Sequence, residues 1–354
     1  MKILVLSDKK PGHYKQSLGI VQKIPDCRVE WVEIEYRAKW RDNLLRLFMC
    51  VFQGIPLSSD FIQKMFRWCL TTQSYNTLLK VQDTDVILST GSSLGAINLL
   101  LGRTLHAKSV TCLRPSPIGI RHFDLAILPK LYLDRGKPSD NICQTIGVPN
   151  PISPELLDID KAGIMQSLNL QEGKYIGVLI GGTDRYETIT VDDAMHLHAI
   201  CNTVTSELNA KVLITTSRRT PPEVNSYLKS SFENVEWCPF FVEPTTPSEL
   251  ENPYQAILSL SDLLIVSGDS FSMVCEAASS GRKVIVLSLT QKRKKLPKRY
   301  SIYKYMEKQS IINQCKPTEL DKQIIRELNC QTQNKQLQDT EKVAKEIQYL
   351  IKNK

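Results

Sequence analysis

The sequence predicts an α/β protein made of two doubly wound, Rossmann-like parallel sheets, followed by a polar helical segment. Three observations predict it. Short apolar runs bounded by Gly-, Ser- and Thr-rich turns alternate with helical patterns, as buried parallel strands joined by crossover helices do. The pattern restarts midway, after a proline-rich stretch. The length, 354 residues, suits two domains of about 150 residues better than one.

In the first half the apolar runs 3–6, 29–34, 86–88, 109–113 and 125–128 read as strands, and 16–22 and 94–105 as helices. Gly147-Val-Pro-Asn-Pro-Ile-Ser-Pro154 then carries three prolines in eight residues. Proline fixes its own φ and restricts the residue before it, so this stretch reads as a stiff linker. Strands are expected again at 176–180, 212–215, 263–266 and 284–287, with helices at 194–208, 222–232 and 273–279. The expected division is 1–150, 151–317, and a C-terminal helical segment 318–354 that either folds back across the linker or lies on the surface. No repeat of fixed period is present. Doubly wound domains bind ligands beyond the carboxyl ends of their strands, so the chemistry should sit in the loops that follow them.

Composition excludes several classes. A hydrophobic fraction of 42% is too high for a disordered chain, and 16 Gly and 18 Pro without a period exclude collagen-like and low-complexity chains. The ten cysteines are never closer than 15 residues, which removes Cys-x-x-Cys zinc and redox motifs and leaves reduced core thiols. The opening apolar run is too short for a signal-peptide core, and no uncharged apolar stretch reaches the roughly 18 residues of a membrane span. The expected location is cytoplasmic, with a peripheral seat on the inner face of the cytoplasmic membrane as an extension of it. Net charge is +8, from 45 Lys and Arg against 37 Asp and Glu. That suits anionic partners without choosing one.

Five loops carry candidate chemistry. Ser7-Asp8-Lys-Lys-Pro-Gly12-His13-Tyr-Lys-Gln16 leads from the first strand to a helix. Gly12 would allow a tight turn, and a neutral His13 could take a proton from an acceptor hydroxyl near neutral pH; the alternative is that His13 braces the turn. Ser89-Thr90-Gly91-Ser-Ser offers backbone N–H groups at a helix start to an anion or a sugar hydroxyl, or is an ordinary cap. Gly181-Gly182-Thr183 matches neither the Gly-x-Gly-x-x-Gly dinucleotide fingerprint nor a Gly-Lys-Ser/Thr loop, yet its glycines would let a phosphate approach the backbone. Thr215-Thr-Ser217-Arg218-Arg219-Thr-Pro221 places two guanidinium forks among hydroxyls, which suits phosphate.

The sharpest block is Ser267-Gly268-Asp269-Ser270-Phe-Ser272-Met273-Val-Cys-Glu276. A buried strand ends in Gly-Asp-Ser and a helix begins near Ser272. Its free N–H groups and positive dipole end would hold phosphates, with Ser270 and Ser272 adding hydroxyls. Glu276 lies four residues beyond Ser272 on the same face and would accept from both hydroxyls of a ribose. Capping serines with an exposed Glu are the plainer alternative.

This block, with Asn252-Pro-Tyr254 and the 215–221 segment ahead of it, resembles the family named for the plant mitochondrial-fission "elongated mitochondria" protein, whose bacterial members are assigned as glycosyltransferases. Ser7-Asp8, Pro11-Gly12-His13, Gln16, Phe123-Asp124-Leu125, Pro129 and Gly181-Gly182 fit its pattern as well, and the resemblance spans residues 4–290. It implies a GT-B-like fold: two Rossmann-like domains facing across a cleft, as in the lipid-linked sugar transferases of cell-wall synthesis. Those place the Glu of a Glu-Ala-x-x-x-Gly segment on the donor ribose, and Glu276-Ala-Ala-Ser-Ser-Gly281 matches. Where the family pattern has Pro-Glu-His-Asp, this chain has Pro129-Lys130-Leu131-Tyr132, which leaves His13 or Asp8 as the candidate base.

The function expected is a metal-independent transfer of sugar from a nucleotide-diphosphate-sugar to a glycan or lipid-linked acceptor, with no cofactor and no nucleic-acid partner. The donor would meet Gly181, Gly182, Thr183, Ser217, Arg218, Arg219, Gly268, Asp269, Ser270, Ser272, Met273 and Glu276. Gly12, Ser89, Thr90, Gly91 and Arg114 are expected on the acceptor side. A nucleotide-sugar epimerase and a non-catalytic adaptor are the alternatives. Much of the positive charge falls in two segments. One is 36–71, basic, aromatic and helical, which suits either a membrane interface or an ordinary packed helix pair. The other is Lys292-Arg-Lys-Lys-Leu-Pro-Lys-Arg299, expected as a loop.

Overall fold

A computed structural model describes residues 1–52, 54–130, 140–159, 161–244, 248, 250–332 and 334–352. Leu131 and Tyr132 of the divergent segment lie outside them. The chain divides into two compact units, Met1–Pro151 with Gln338–Lys354, and Ile152–Leu337.

The first unit runs β1 (Lys2–Ser7), α1 (Pro11–Gln22), β2 (Arg28–Glu33), α2 (Lys39–Phe52), α3 (Ser59–Cys69), α4 (Thr72–Leu79), β3 (Val86–Thr90), α5 (Gly95–Leu105), β4 (Lys108–Cys112), β5 (Leu125–Pro129) and β6 (Ile142–Thr145). The second runs α6 (Pro154–Asp158), α7 (Lys161–Ser167), β7 (Lys174–Leu179), β8 (Glu187–Thr188), α8 (Val191–Leu208), β9 (Ala210–Thr215), α9 (Pro222–Phe232), β10 (Phe240–Val242), α10 (Pro253–Leu260), β11 (Leu263–Ser267), α11 (Phe271–Ser279), β12 (Lys283–Leu287), β13 (Thr290–Gln291), α12 (Arg299–Lys308), β14 (Asn313–Cys315) and α13 (Leu320–Asn329). The last helix, α14 (Asp339–Lys352), belongs to the first unit.

Each unit is built on a six-stranded sheet, in the orders β2-β1-β3-β4-β5-β6 and β10-β9-β7-β11-β12-β14. All pairings within both are parallel; the short β8–β13 ribbon is antiparallel. Period-two alternation sorts β1 between two cores. Ile3 and Val5 pack with Ile20 and Val21 of α1 and Val343 and Ile347 of α14. Leu4 and Leu6 pack on the other face with Leu45, Ile62, Phe66 and Leu100 of α2, α3 and α5. A buried aliphatic side chain contributes about 1.5–3 kcal/mol, so the two faces together anchor the strand.

Two expectations are corrected. The segment 318–354 is not one piece: α13 packs its Leu320 and Ile324 into the second unit's core, while α14 closes the first. α14 folds back on the linker. Asp339 at its start accepts hydrogen bonds from the amides of Ile146 and Gly147 at 3.0 and 2.6 Å, and Thr340 bonds Asn150. The strand expected to end at residue 88 runs on to Thr90, because hydroxyl residues extend a buried strand when their side chains find partners inside it.

The strand orders fix where sites can form. In the first unit the chain goes from β1 outward to β2, then returns to β3 on the other side. In the second it goes from β7 to β9 and β10, then returns to β11. The crossovers diverge at each of these points and leave a crevice beyond the strand ends, between β1 and β3 and between β7 and β11.

Candidate functional site

At the first crevice the chain leaves β1 at Asp8, turns through Lys9 in the left-handed region (φ 62°), and enters α1 at Pro11. Pro11 has no N–H to leave unpaired in a first helical turn. Gly12 and His13 therefore lie in that turn rather than in a loop. A Cβ on Gly12 would meet nothing within 4 Å, so its expected role in a tight turn is not realised.

His13 Nδ1 lies 3.0 Å from both carboxylate oxygens of Asp8. Asp8 also accepts from Ser93 Oγ at 3.2 Å and pairs with Lys10 Nζ at 2.7 Å. Burial would raise the Asp8 carboxyl, but the hydrogen bonds and charges of His13 and Lys10 prevail and hold it well below the usual carboxylate range. The charged carboxylate keeps the proton on Nδ1, so the Nε2 lone pair is the basic one. Nε2 has no hydrogen-bond partner among the described residues.

Gly91 forms the wall beside the ring. Its φ is 92°, and a Cβ there would sit 2.3 Å from His13 Cε1, so only glycine fits. The groove in front of the dyad measures about 420 Å³ and is lined by Lys10, His13, Lys39, Asp42, Arg46, Ser92, Ser93 and Arg114. Arg46 spans Asp42 with bonds of 2.9 and 3.1 Å; burial pushes the Asp42 carboxyl up, against Arg46. The groove thus holds four permanent cations against Asp8 and Asp42.

Of the residues expected on the acceptor side, Arg114 and Gly91 line this groove. Ser89 and Thr90 do not. Both are fully buried in β3, where Ser89 accepts from Asn98 and Thr90 shares a hydrogen bond with Ser17. Ser92 and Ser93, one turn further on, take the places facing the groove.

At the second crevice the loops after β7, β9 and β11 are tied to one another. Asp269, buried, accepts from the amide of Gly182 at 3.0 Å and from Ser267 Oγ at 2.8 Å, and pairs with Arg219 Nη2 at 2.8 Å. Burial pushes its carboxyl up, and these partners oppose the shift. The amide of Gly181 donates to Ser267 Oγ, and that of Thr183 to the carbonyl of Arg219 at 3.0 Å. Ser217 and Thr220 both donate to the Gly181 carbonyl. The Gly-Gly turn is therefore required for loop-to-loop packing. A Cβ on Gly181 would strike Asp269 at 2.3 Å, and one on Gly182 the Arg219 carbonyl at 2.1 Å. Its amides are spent inside the protein and do not face a phosphate, which corrects the sequence expectation for Gly181, Gly182 and Thr183.

The paired arginines also separate in role. Arg219 holds Asp269, while Arg218 is exposed with no partner among the described residues. What remains open is the start of α11. Ser270 makes no side-chain cap, and the first-turn amides of Phe271, Ser272 and Met273 have no acceptor among the described residues. Ser272 is exposed and Met273 half-buried. Glu276, expected to accept from the donor ribose, is 3% exposed, which rules out the plainer reading of an exposed Glu; it lies beside Tyr254, whose hydroxyl is pushed up by burial and by Glu276.

Sequence reading missed the support behind this crevice. Arg299 Nε donates to the Gly268 carbonyl at 2.8 Å, Nη1 pairs with Asp184 at 2.7 Å, and Nη2 pairs with buried Glu187. Tyr300 donates to Glu187 and Tyr303 to the Gly268 carbonyl. A Cβ on Gly268 would meet the Tyr300 hydroxyl at 2.7 Å, so that glycine serves this packing. The only signal was the end of a basic run that reads as solvated charge. Among the described residues no group of three or more His, Cys, Asp or Glu side chains could hold a metal ion. No helix among them is long and apolar enough to cross a membrane.

The family description "Mitochondrial fission ELM1" fits residues 11–350. The chain belongs to this family. An uncharacterised protein of Rickettsia prowazekii (strain Madrid E) is 25% identical over 317 residues, 81% of this chain and 83% of that one. A Synechococcus UDP-N-acetylglucosamine--N-acetylmuramyl-(pentapeptide) pyrophosphoryl-undecaprenol N-acetylglucosamine transferase is 28% identical over 109 residues, 29% of each chain. Among solved structures, the UDP-GlcNAc 2-epimerase of Neisseria meningitidis, bound to UDP-GlcNAc, matches with a TM-score of 0.59 at 17% identity, covering 100% of both chains. That likeness makes the fold of this ELM1-family chain GT-B-like.

Proposed function

We propose that the protein is a glycosyltransferase that moves a sugar from a nucleotide-diphosphate-sugar to a hydroxyl of a glycan or lipid-linked acceptor at the cytoplasmic face of the membrane. The observation that carries this is the Asp8–His13 dyad opening on a cationic groove. His13 Nε2 takes the proton of the acceptor hydroxyl as its oxygen bonds the anomeric carbon. The bond to the diphosphate breaks, and the nucleotide diphosphate leaves with the electron pair. Asp8 fixes the tautomer and stabilises the imidazolium that forms.

The donor's phosphates are assigned to the uncapped start of α11, with the Ser270 and Ser272 hydroxyls and the free Arg218. The short similarity to a transferase acting on a pyrophosphoryl-undecaprenol acceptor supports a lipid-linked acceptor. The reaction is assigned no metal and no cofactor.

A nucleotide-sugar epimerase is the second reading, favoured by the fold match to such an enzyme. The test is a thermal-shift screen of nucleotide-sugars, followed by turnover in EDTA with and without acceptor. Ligand that binds only the native state raises the apparent melting temperature. Transfer that needs acceptor, survives EDTA, and falls in His13→Ala and Glu276→Ala is expected. Sugar turnover without acceptor would install the epimerase. Wild-type rates in both variants would remove the site assignment. No nucleotide-sugar binding at all would leave an adaptor.

A further inference from the structure

α2 presents three faces. Leu45 and Met49 go to the core, Lys39, Asp42 and Arg46 line the groove before His13, and a third stripe is exposed. That stripe is Trp40, Leu44, Leu47 and Val51, at helical spacing and each 47–67% exposed. α3 adds Phe61 and Trp68, both 43% exposed. The two helices make one continuous patch. Trp40 and Trp68 meet edge to face at 5.5 Å, and Phe48 bridges Phe52 and Phe61 at 4.7 and 6.2 Å. The Arg41 guanidinium lies 5.1 and 5.0 Å from the Trp40 and Trp68 rings. Among the described residues, eight of the fourteen exposed large hydrophobic side chains fall within residues 40–68. An apolar patch gathered in this way marks an interaction surface rather than ordinary surface scatter.

Charge selects the occupant. Lys39, Lys64 and Arg67 are exposed around the patch, Arg41 sits within it, and Asp60 is the exposed acid on these two helices. Tryptophans beside cations, on helices with a wide apolar stripe, match the boundary between headgroups and acyl chains of an anionic bilayer. We infer that the α2–α3 face seats the first unit on an anionic lipid bilayer, with Trp40, Leu44, Leu47, Val51, Phe61 and Trp68 entering the interface. The neighbouring face of α2 then brings Lys39 and Arg46, and with them the groove of His13, to headgroup depth. An acceptor held in the bilayer would meet the base there. This last step rests on the proposed transfer; the docking itself does not.

The experiment is sedimentation of the full-length protein with phosphatidylglycerol vesicles and with phosphatidylcholine vesicles, at low and raised salt. The wild type is expected to sediment with phosphatidylglycerol and to be released by salt. The paired change Leu47→Glu, Val51→Glu should lower partitioning about tenfold or more. Lys64→Glu, Arg67→Glu should weaken binding to the anionic vesicles alone. All four positions are exposed, and melting temperature and circular dichroism verify the fold. No sedimentation of the wild type, or undiminished sedimentation of both variants, overturns the inference. So does a lipid-free dimer that Leu47→Glu, Val51→Glu dissolves, since the patch would then belong to a second copy. Turnover on a water-soluble acceptor separates the two readings: intact transfer without vesicle binding removes only the membrane seat.

Discussion

Each sheet places a strand-end carboxylate at its reversal of strand order, Asp8 after the outgoing strand β1 and Asp269 after the returning strand β11, and the two are used in opposite ways. Asp8 is tied on one side and aims His13 into a groove lined by Lys39, Arg46 and Arg114. Asp269 is enclosed by Gly182, Ser267 and Arg219, and holds three loops together. A buried charge with all its partners inside the protein is a structural element, whereas a half-buried one with a titratable neighbour facing open space is poised for chemistry. A strand-end aspartate therefore does not by itself mark a catalytic site; what its partners leave unpaired does.

The contrast is broken most directly at the dyad. His13→Ala and Asp8→Asn should each lower kcat about 10²–10⁴-fold, the range of general base catalysis, well beyond what any fall in folded fraction accounts for. A large loss of stability with proportionate loss of rate would make Asp8 another structural carboxylate. At the other crevice the expected order is reversed. Arg299→Ala leaves buried Glu187 and Asp184 short of their cation, and should cost about 3–5 kcal/mol in denaturant unfolding, donor binding falling with the folded fraction. Undiminished stability there would mean that the loops are held elsewhere.

Gly91→Ala tests whether the ring needs its wall. The Cβ would clash with His13 in a backbone of φ 92°, so a strain of about 1–3 kcal/mol and a fall in turnover are expected together. The smallest effect is that of pH. Asp8 is depressed in the folded state, so its contribution to stability is present above the ordinary carboxylate range and lost as pH falls through the lowered folded value. Asp8→Asn should lower the melting temperature on the neutral side and so flatten the profile, the two proteins converging as the pH falls.

The parallel strands, their order along the chain and the loops that follow them were legible in the sequence, because buried strands read as apolar runs and the prolines of the linker punctuate them. His13, Asp8 and the start of α11 were singled out as candidates for that reason. Ser89 and Thr90 were misplaced because hydroxyl residues ended the apolar run while the strand continued. The role of Gly181 and Gly182 was misread because a glycine pair shows that something comes close without showing whether it is a ligand or Asp269. Arg299 was hidden by distance: Glu187 is more than a hundred residues away and sits in a two-residue strand that no periodicity announces. The α2–α3 patch was visible as composition, but only the ring contacts between the helices make it continuous.

The return of α14 to the first unit has a consequence for how the chain is made. The ribosome delivers β1 to β6 before the second unit, yet the sheet face that Val343 and Ile347 cover stays bare until α14 has emerged. Residues 152–337 are complete before that and can fold while synthesis continues. The unit that carries the proposed base is thus begun first and finished last, and a message truncated just after residue 337 would yield a sound second unit joined to an unclosed first one.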